Sequence, residues 1–327
     1  MWPTQKLQRL LNITYPVIQA PMGGVTSPGM TAAVSNAGGF GMVAGISYTP
    51  ERLLKVVRAT KIKTDRPFGV NLVFKDDIAP LVDVALQEGA SAISFFWGEP
   101  SEYVDRVHDA GALVFHTVSS VEEAKMSIDQ GTDVLVAQGW EAGGHVPGAV
   151  STMVLIPAVV DAVGSIPVVA AGGIADGRAI VAALALGASG VWIGTRFLAA
   201  EEASIHPVYR ERLFEASETD TLHSLLFHKG WECTHRTLRN STVDAWESAG
   251  RPPSGERPGE TDIVAHRPDG SPIERYTSST PNENITGDIE ALSMWAGQSV
   301  HRINRTQSTA EIFHELISEA ESCFKRF

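Results

Sequence analysis

The stretch Val134–Gly148, VLVAQGWEAGGHVPG, carries the residue types best suited to chemistry. An apolar run of strand length, Val134–Ala137, leads into Gln138. A loop with Gly139, Gly143 and Gly144 follows, ahead of a single histidine, His145. Glycines let a backbone turn sharply and approach a ligand, because no Cβ blocks the way. An imidazole held at the end of such a loop exchanges a proton near neutral pH, which suits a general base. Two more glycine turns, Gly172-Gly173 and Gly194-Thr195, each close an apolar run. Backbone N–H groups and a helix N-terminus at such turns bind a phosphate without any side-chain charge. Each signal alone can be an ordinary turn. Together they point to a phosphate-bearing ligand beside a proton-transferring histidine.

Other chemistries find no support. No pair of histidines has the spacing of a metal site on a helix, and Cys233 and Cys323 fit neither a metal motif nor a disulfide framework. The chain has no phosphate loop of the Walker type and no G-x-G-x-x-G after its first apolar run. The first cysteine comes only at position 233, which argues against a phosphate-binding barrel that attacks with a loop cysteine. A formal charge of -12 argues against nucleic acid and against an anionic membrane surface. The opening MWPTQKLQRLL has no signal-peptide core, and no apolar run approaches the ~18 residues of a membrane span. The expectation is a cytoplasmic enzyme with a small-molecule partner, its self-association left open as a homo-oligomer or a monomer.

The elements that position these residues follow a repeating pattern. Eight apolar runs stand at Val17–Ala20, Gly41–Ala44, Phe68–Leu72, Ala92–Phe96, Leu113–His116, Val134–Ala137, Val168–Ala171 and Val191–Gly194. Helical spacing lies between them, as in Met30, Ala33, Val34 and Ala37, and in Asp176–Leu186 with Asp176 as N-cap and Gly187 at its end. The runs are continuously apolar, as expected of parallel strands covered on both faces. Eight such units predict a TIM (β/α)8 barrel, with an open doubly wound sheet as the alternative. Function in a barrel sits at the carboxyl ends of the strands. Those ends hold Ala20-Pro21-Met22-Gly23, Asn71, His116-Thr117, Gln138 with the His145 loop, Gly172-Gly173 and Gly194-Thr195. After Leu198 the composition changes, and residues 250–290 are rich in proline, glycine and charge. The reading is a barrel built from 1–198 and 286–327, with 199–285 as a lid of few buried contacts over the rim. Helices are expected at His206–Glu218, Asp288–Trp295 and Thr309–Phe324, with neither regular helix nor central strand in 250–290.

The motifs QAPMGG (Gln19–Gly24), FGVN (Phe68–Asn71), AQGWEAGGH (Ala137–His145), AAGGI (Ala170–Ile174), IGTRF (Ile193–Phe197) and WAGQS (Trp295–Ser299) together resemble the nitronate monooxygenase family, across essentially the whole chain. The resemblance implies a non-covalent FMN in a TIM barrel, and an enzyme that oxidises alkyl nitronates or nitroalkanes with O2 to a carbonyl compound and nitrite. By motif position it implies that Ala20, Pro21, Met22, Gly23, Asn71, Gln138, Gly143, Gly144, Gly172, Gly173, Ile193, Gly194, Thr195 and Gln298 line the flavin or its phosphate. Trp295–Gln298 would close over it, and His145 would be the catalytic base. Two positions depart from the pattern. Val146-Pro147-Gly148 follows the histidine where many relatives place arginine and glycine, and Thr117 stands where the quinone reductases of the family carry lysine. The alternative on the same scaffold is an NAD(P)H-dependent flavin reductase acting on a quinone or an enoyl thioester. A flavin carrier without turnover is the third reading, which the intact His145 loop disfavours.

Overall fold

The computed structural model describes residues 2, 5–74 and 77–326. Eight parallel strands form one sheet: β1 (Val17–Gln19), β2 (Gly41–Ala44), β3 (Phe68–Val73), β4 (Ala92–Phe96), β5 (Leu113–Val118), β6 (Val134–Gln138), β7 (Val168–Ala171) and β8 (Gly190–Ile193). From β2 to β8 each pairs with the next in sequence, and β8 returns to pair with β1, Val17 opposite Val191. The remaining seam, between β1 and β2, is closed by Phe40: its N–H donates to Val17 O and its C=O accepts from Gln19 N–H, both at 3.0 Å. The sheet is therefore a barrel and not an open doubly wound sheet.

The outer helices begin where short polar side chains cap them. Ser27 accepts the Met30 N–H ahead of α1 (Pro28–Asn36), and Thr49 accepts the Arg52 N–H ahead of α2 (Pro50–Lys61). Proline fills the first helical position of both, where its missing N–H costs nothing. The ring continues with α3 (Ala79–Gln87), α4 (Ser101–Asp109), α5 (Val121–Asp129), α6 (Thr152–Val163) and α7 (Gly177–Ala185). Asp176 caps α7 as expected, and Gly187 follows it at a φ of 98°. The last barrel helix, α8 (Thr309–Phe324), opens on a full capping box of Ser308 and Glu311 and packs between α7 and α1. Its approach to α7 is close: a Cβ on Gly177 would lie 2.1 Å from the Ala320 N. Inside the barrel Ile18, Phe40, Met42, Phe115, Val136 and Val169 fill the axis, with the Phe40 and Phe115 rings stacked at 6.3 Å.

Between β8 and α8 the chain folds over the rim. A helix Pro207–Glu215 leads to a hairpin of Thr221–Ser224 with His235–Leu238, then to a helix Ser241–Ser248. Two expectations are corrected here. Residues 250–290 contain a three-stranded antiparallel sheet with Ile263–His266 at its centre, flanked by Pro272–Glu274 and Thr286–Gly287. The central strand is a proline-free tetrapeptide, and Pro272 begins an edge strand, where its missing N–H is tolerated. This sheet buries Val264, Ala265, Ile273 and Ile285, so the segment has a core of its own and is not poor in buried contacts. The helix expected over Asp288–Trp295 is only a 3-10 turn, Ile289–Ala291, followed by extended chain. Its carbonyls are taken from outside: Ala291 O by the Thr242 hydroxyl, Leu292 O by Asn240 Nδ2 and Met294 O by the Leu238 N–H.

Candidate active site

The carboxyl ends of the barrel strands open into a cleft of about 670 Å³, roofed by the 199–285 insert and the 295–299 segment. Ala20, Pro21, Met22, Gly23, Asn71, Gln138, Gly143, Gly144, His145, Gly172, Gly173, Gly194 and Thr195 all line it. Ile193 and Gln298 do not: Ile193 is fully buried in the wall, and the Gln298 N–H is bonded to Glu141 O, while its neighbour Ser299 lines the cleft.

The loop bearing His145 is held from four sides. Gln138 Nε2 donates to His145 O at 3.1 Å. Gly144 and His145 form a two-residue strand against the insert, opposite Arg236 and His235. The buried Arg236 guanidinium donates to Trp140 O and lies 4.2 Å above the Trp140 ring. Glu141 Oε2 accepts both the N–H and the hydroxyl of Thr152, and so caps α6, whose N-cap Ser151 makes no side-chain cap. Gly143 must be glycine for packing: a Cβ there would come 2.4 Å from the Gly297 N.

Around the imidazole the insert adds Trp231, Ser278 and His235, which the sequence did not single out, to the expected Trp295. The Trp231 ring stacks on His145 with centroids 3.7 Å apart and 26° between planes, and Trp295 stands at 5.1 Å. Ser278 Oγ is 3.4 Å from His145 Nε2. His235 packs edge-on at 6.0 Å in a fixed tautomer: the Phe227 N–H donates to its Nε2, so its Nδ1–H donates to Cys233 O. Burial pushes the His235 imidazole down to about 4, which keeps it neutral.

The phosphate expectation needs one change. The N-terminus of α7 is occupied by two carboxylates, Asp176 Oδ1 on the Ala179 N–H and Glu319 Oε2 on the Gly177 N–H. A dianion would be repelled there. The turns themselves remain suitable. Gly172 and Gly173 take φ of 102° and 71°, and a Cβ on Gly173 would meet nothing nearer than 3.7 Å. Thr195 Oγ1 accepts the Gly297 N–H at 3.1 Å, which leaves its proton to donate into the cleft.

Deeper in, two amides present oxygens. Asn71 spends its Nδ2 on Ser94 O and Oγ, and Gln138 Oε1 is buried with no hydrogen-bond partner. Among the described residues no cluster of His, Cys, Asp or Glu could hold a metal, and no helix is long and apolar enough to cross a membrane.

The nitronate monooxygenase family model matches residues 4–81 and 78–319. The chain belongs to the nitronate monooxygenase family. A probable nitronate monooxygenase of Bacillus subtilis is 31% identical over 96% of this chain and 98% of its own length. A (3aS,4S,5R,7aS)-5-hydroxy-7a-methyl-1-oxo-octahydro-1H-indene-4-carboxyl-CoA dehydrogenase of Rhodococcus jostii is 37% identical over 75% of this chain and 68% of its own. The solved structure of FabK from Thermotoga maritima superposes with a TM-score of 0.84 at 32% identity, over 100% of this chain and 98% of that one. The family makes this chain an oxidoreductase on a barrel scaffold.

Proposed function

We propose that the cleft holds FMN and that the enzyme oxidises alkyl nitronates, or their parent nitroalkanes, with O2 to a carbonyl compound and nitrite, His145 serving as general base. The observation that carries this reading is the placement of the His145 imidazole in the wall of the same cleft that the Gly172-Gly173 and Gly194-Thr195 turns enter. The residues present fit a flavin. Gln138 Oε1 lacks a partner and would accept from a ring N–H, and Gly173 and Gly194 leave room for a phosphate at the two turns. An orphaned buried acceptor is costly unless a ligand satisfies it. Bound there, the flavin would supply the redox chemistry toward oxygen.

The rest is the work of this chain's own residues. The hydrogen next to a nitro group is acidic, and His145 removes it and carries it as imidazolium. Trp231 and Trp295 pack against the imidazole and leave it half-buried in the cleft wall. Ser278 Oγ lies near enough to Nε2 to fix the ring's direction.

The reductase reading keeps one observation of its own. Arg52 and Arg267 line the cleft and make no salt bridge among the described residues, which suits a substrate with an anionic tail such as an acyl thioester. The carboxyl-CoA dehydrogenase relative fits the same idea.

The purified protein should be yellow and should release FMN on denaturation. Without oxygen, an alkyl nitronate should bleach it faster than NADH does. His145→Asn should keep its FMN and lose about 10²–10⁴-fold in turnover of the neutral nitroalkane, the usual worth of general acid–base catalysis. Turnover of the preformed nitronate, which has already lost its proton, should fall far less. Equal losses on both substrates would make His145 a binding residue. Rapid bleaching by NADH, with no response to either nitro form, would hand the site to the reductase.

A further inference from the structure

Trp231 sits in the insert, 86 positions from His145 in the chain, yet its indole lies almost parallel to the imidazole at 3.7 Å. The indole is in turn braced on its other sides. Phe96 meets it edge-on at 5.8 Å and 85°, and Trp97 at 6.3 Å and 75°. Both braces come from the carboxyl end of β4. The backbone there is strained: Trp97 takes a φ of 70°, left-handed territory that bulky side chains rarely enter. Gly98 follows at 66°, where a Cβ would lie 2.6 Å from Phe74 Cγ. Strain of this kind persists where the surroundings impose it, and it gathers at functional sites. Here it delivers one aromatic edge to the ring that covers the histidine.

We propose that Trp231, braced by Phe96 and Trp97, is a positioning residue for His145 that holds the imidazole at the cleft wall and stabilises its protonated state. An aromatic face attracts a cation stacked on it, and indole does so best. Neutral imidazole gains little from the stack, whereas imidazolium gains the full attraction. The stack therefore favours the species that exists once the base has taken its proton. Other titratable and charged groups stand on the neighbouring elements. His235 is held neutral by burial, and His223 Nε2 is bonded to Val146 O. Arg236 is committed to Trp140, Glu141 to Thr152, and Arg267 lines the cleft mouth. This proposal rests on His145 being the base, and its test separates the two ideas.

The test is a histidine NMR titration of the flavin-loaded protein, with the His145 signal identified by its loss in His145→Asn. Trp231→Leu keeps an apolar cover and removes the aromatic face, and it should lower the His145 pKa by about half a unit to one unit. Trp231→Phe should fall between Leu and wild type. Trp97→Gly relieves the strain but loosens the brace, and should give a smaller shift in the same direction. The pH profile of kcat/KM on a neutral nitroalkane should move with the titration, while KM for the nitronate stays close to wild type. A folded Trp231→Leu that titrates at or above the wild-type value would overturn the proposal. Should that variant not fold, the Phe and Trp97→Gly variants decide by the same criterion. If His145→Asn leaves nitroalkane turnover intact, the base assignment fails, whatever the titration says of Trp231.

Discussion

His235 is the residue through which acid should first loosen the site. It is fully buried, accepts from Phe227 N–H and donates to Cys233 O, and belongs to the strand that holds Gly144 and His145. A free imidazole titrates near 6.5, and burial brings this one to about 4. Between those values the unfolded chain binds a proton that the folded protein refuses. The stability is therefore full above pH 6.5 and is lost as the pH falls toward 4, by about 2 kcal/mol at pH 5. Burial lowers the pKa of His116 and His223 as well, so their effects have the same sign. Urea unfolding of the wild type and of His235→Asn at pH 7.5 and pH 5.0 isolates this histidine. The variant is expected to be less stable at pH 7.5 but to lose less between the two. An identical loss in both proteins would remove His235 from the account.

At the scale of elements, the turn after β8 separates packing from binding. Gly194 has a φ of -107°, which any residue can adopt, and a Cβ there would touch only Ala20 Cβ at 3.4 Å and Met22 Sδ at 4.0 Å. Gly194→Val should therefore cost no more than about 1 kcal/mol of stability, the ordinary range of a tolerated substitution. Its side chain would enter the space assigned to the phosphate, and FMN affinity measured by fluorescence quenching should fall at least tenfold, roughly 1.4 kcal/mol. Gly143→Val should do the reverse and damage folding first, because the Gly297 backbone already fills that space. Full FMN affinity in Gly194→Val would make Gly194 a structural residue only. The barrel elements were legible because both faces of each strand are covered, so the apolar runs stand out, and because Asp176 caps its helix through local spacing. Trp231 and Ser278 were not legible. Each reaches His145 only through tertiary folding, Ser278 across 133 positions, and nothing periodic marks either one. The chain over 288–295 was misread for a similar reason: side chains of another helix compete for its carbonyls.

For the whole molecule, the division of labour is between a closed barrel that carries the glycine turns and a cap that completes the surroundings of His145. The cap has two apolar clusters, one around Val264, Ile273 and Ile285 and one around Phe227, Val243 and Tyr276, and Arg257 is buried between Glu260, Leu226 O and the Tyr276 ring. It is thus a folded cover whose weak points are narrow. Among its exposed stretches, 253–256 and the hairpin tip 268–270 lie outside every helix and strand. Backbone with few buried contacts opens first and is cut first. Trypsin would be a poor probe, since Arg251, Arg257 and Arg267 each precede a proline. Subtilisin at low concentration should nick the ligand-free protein within these two stretches before it cuts any barrel element, as read by intact-mass analysis of the fragments. FMN with a slow substrate should protect the 268–270 tip, because Arg267 and Pro268 line the cleft, and should leave 253–256 as sensitive as before. Protection of both stretches alike would mean that ligand tightens the whole cap. First cuts within the strands or helices of the barrel would contradict this division between cap and barrel.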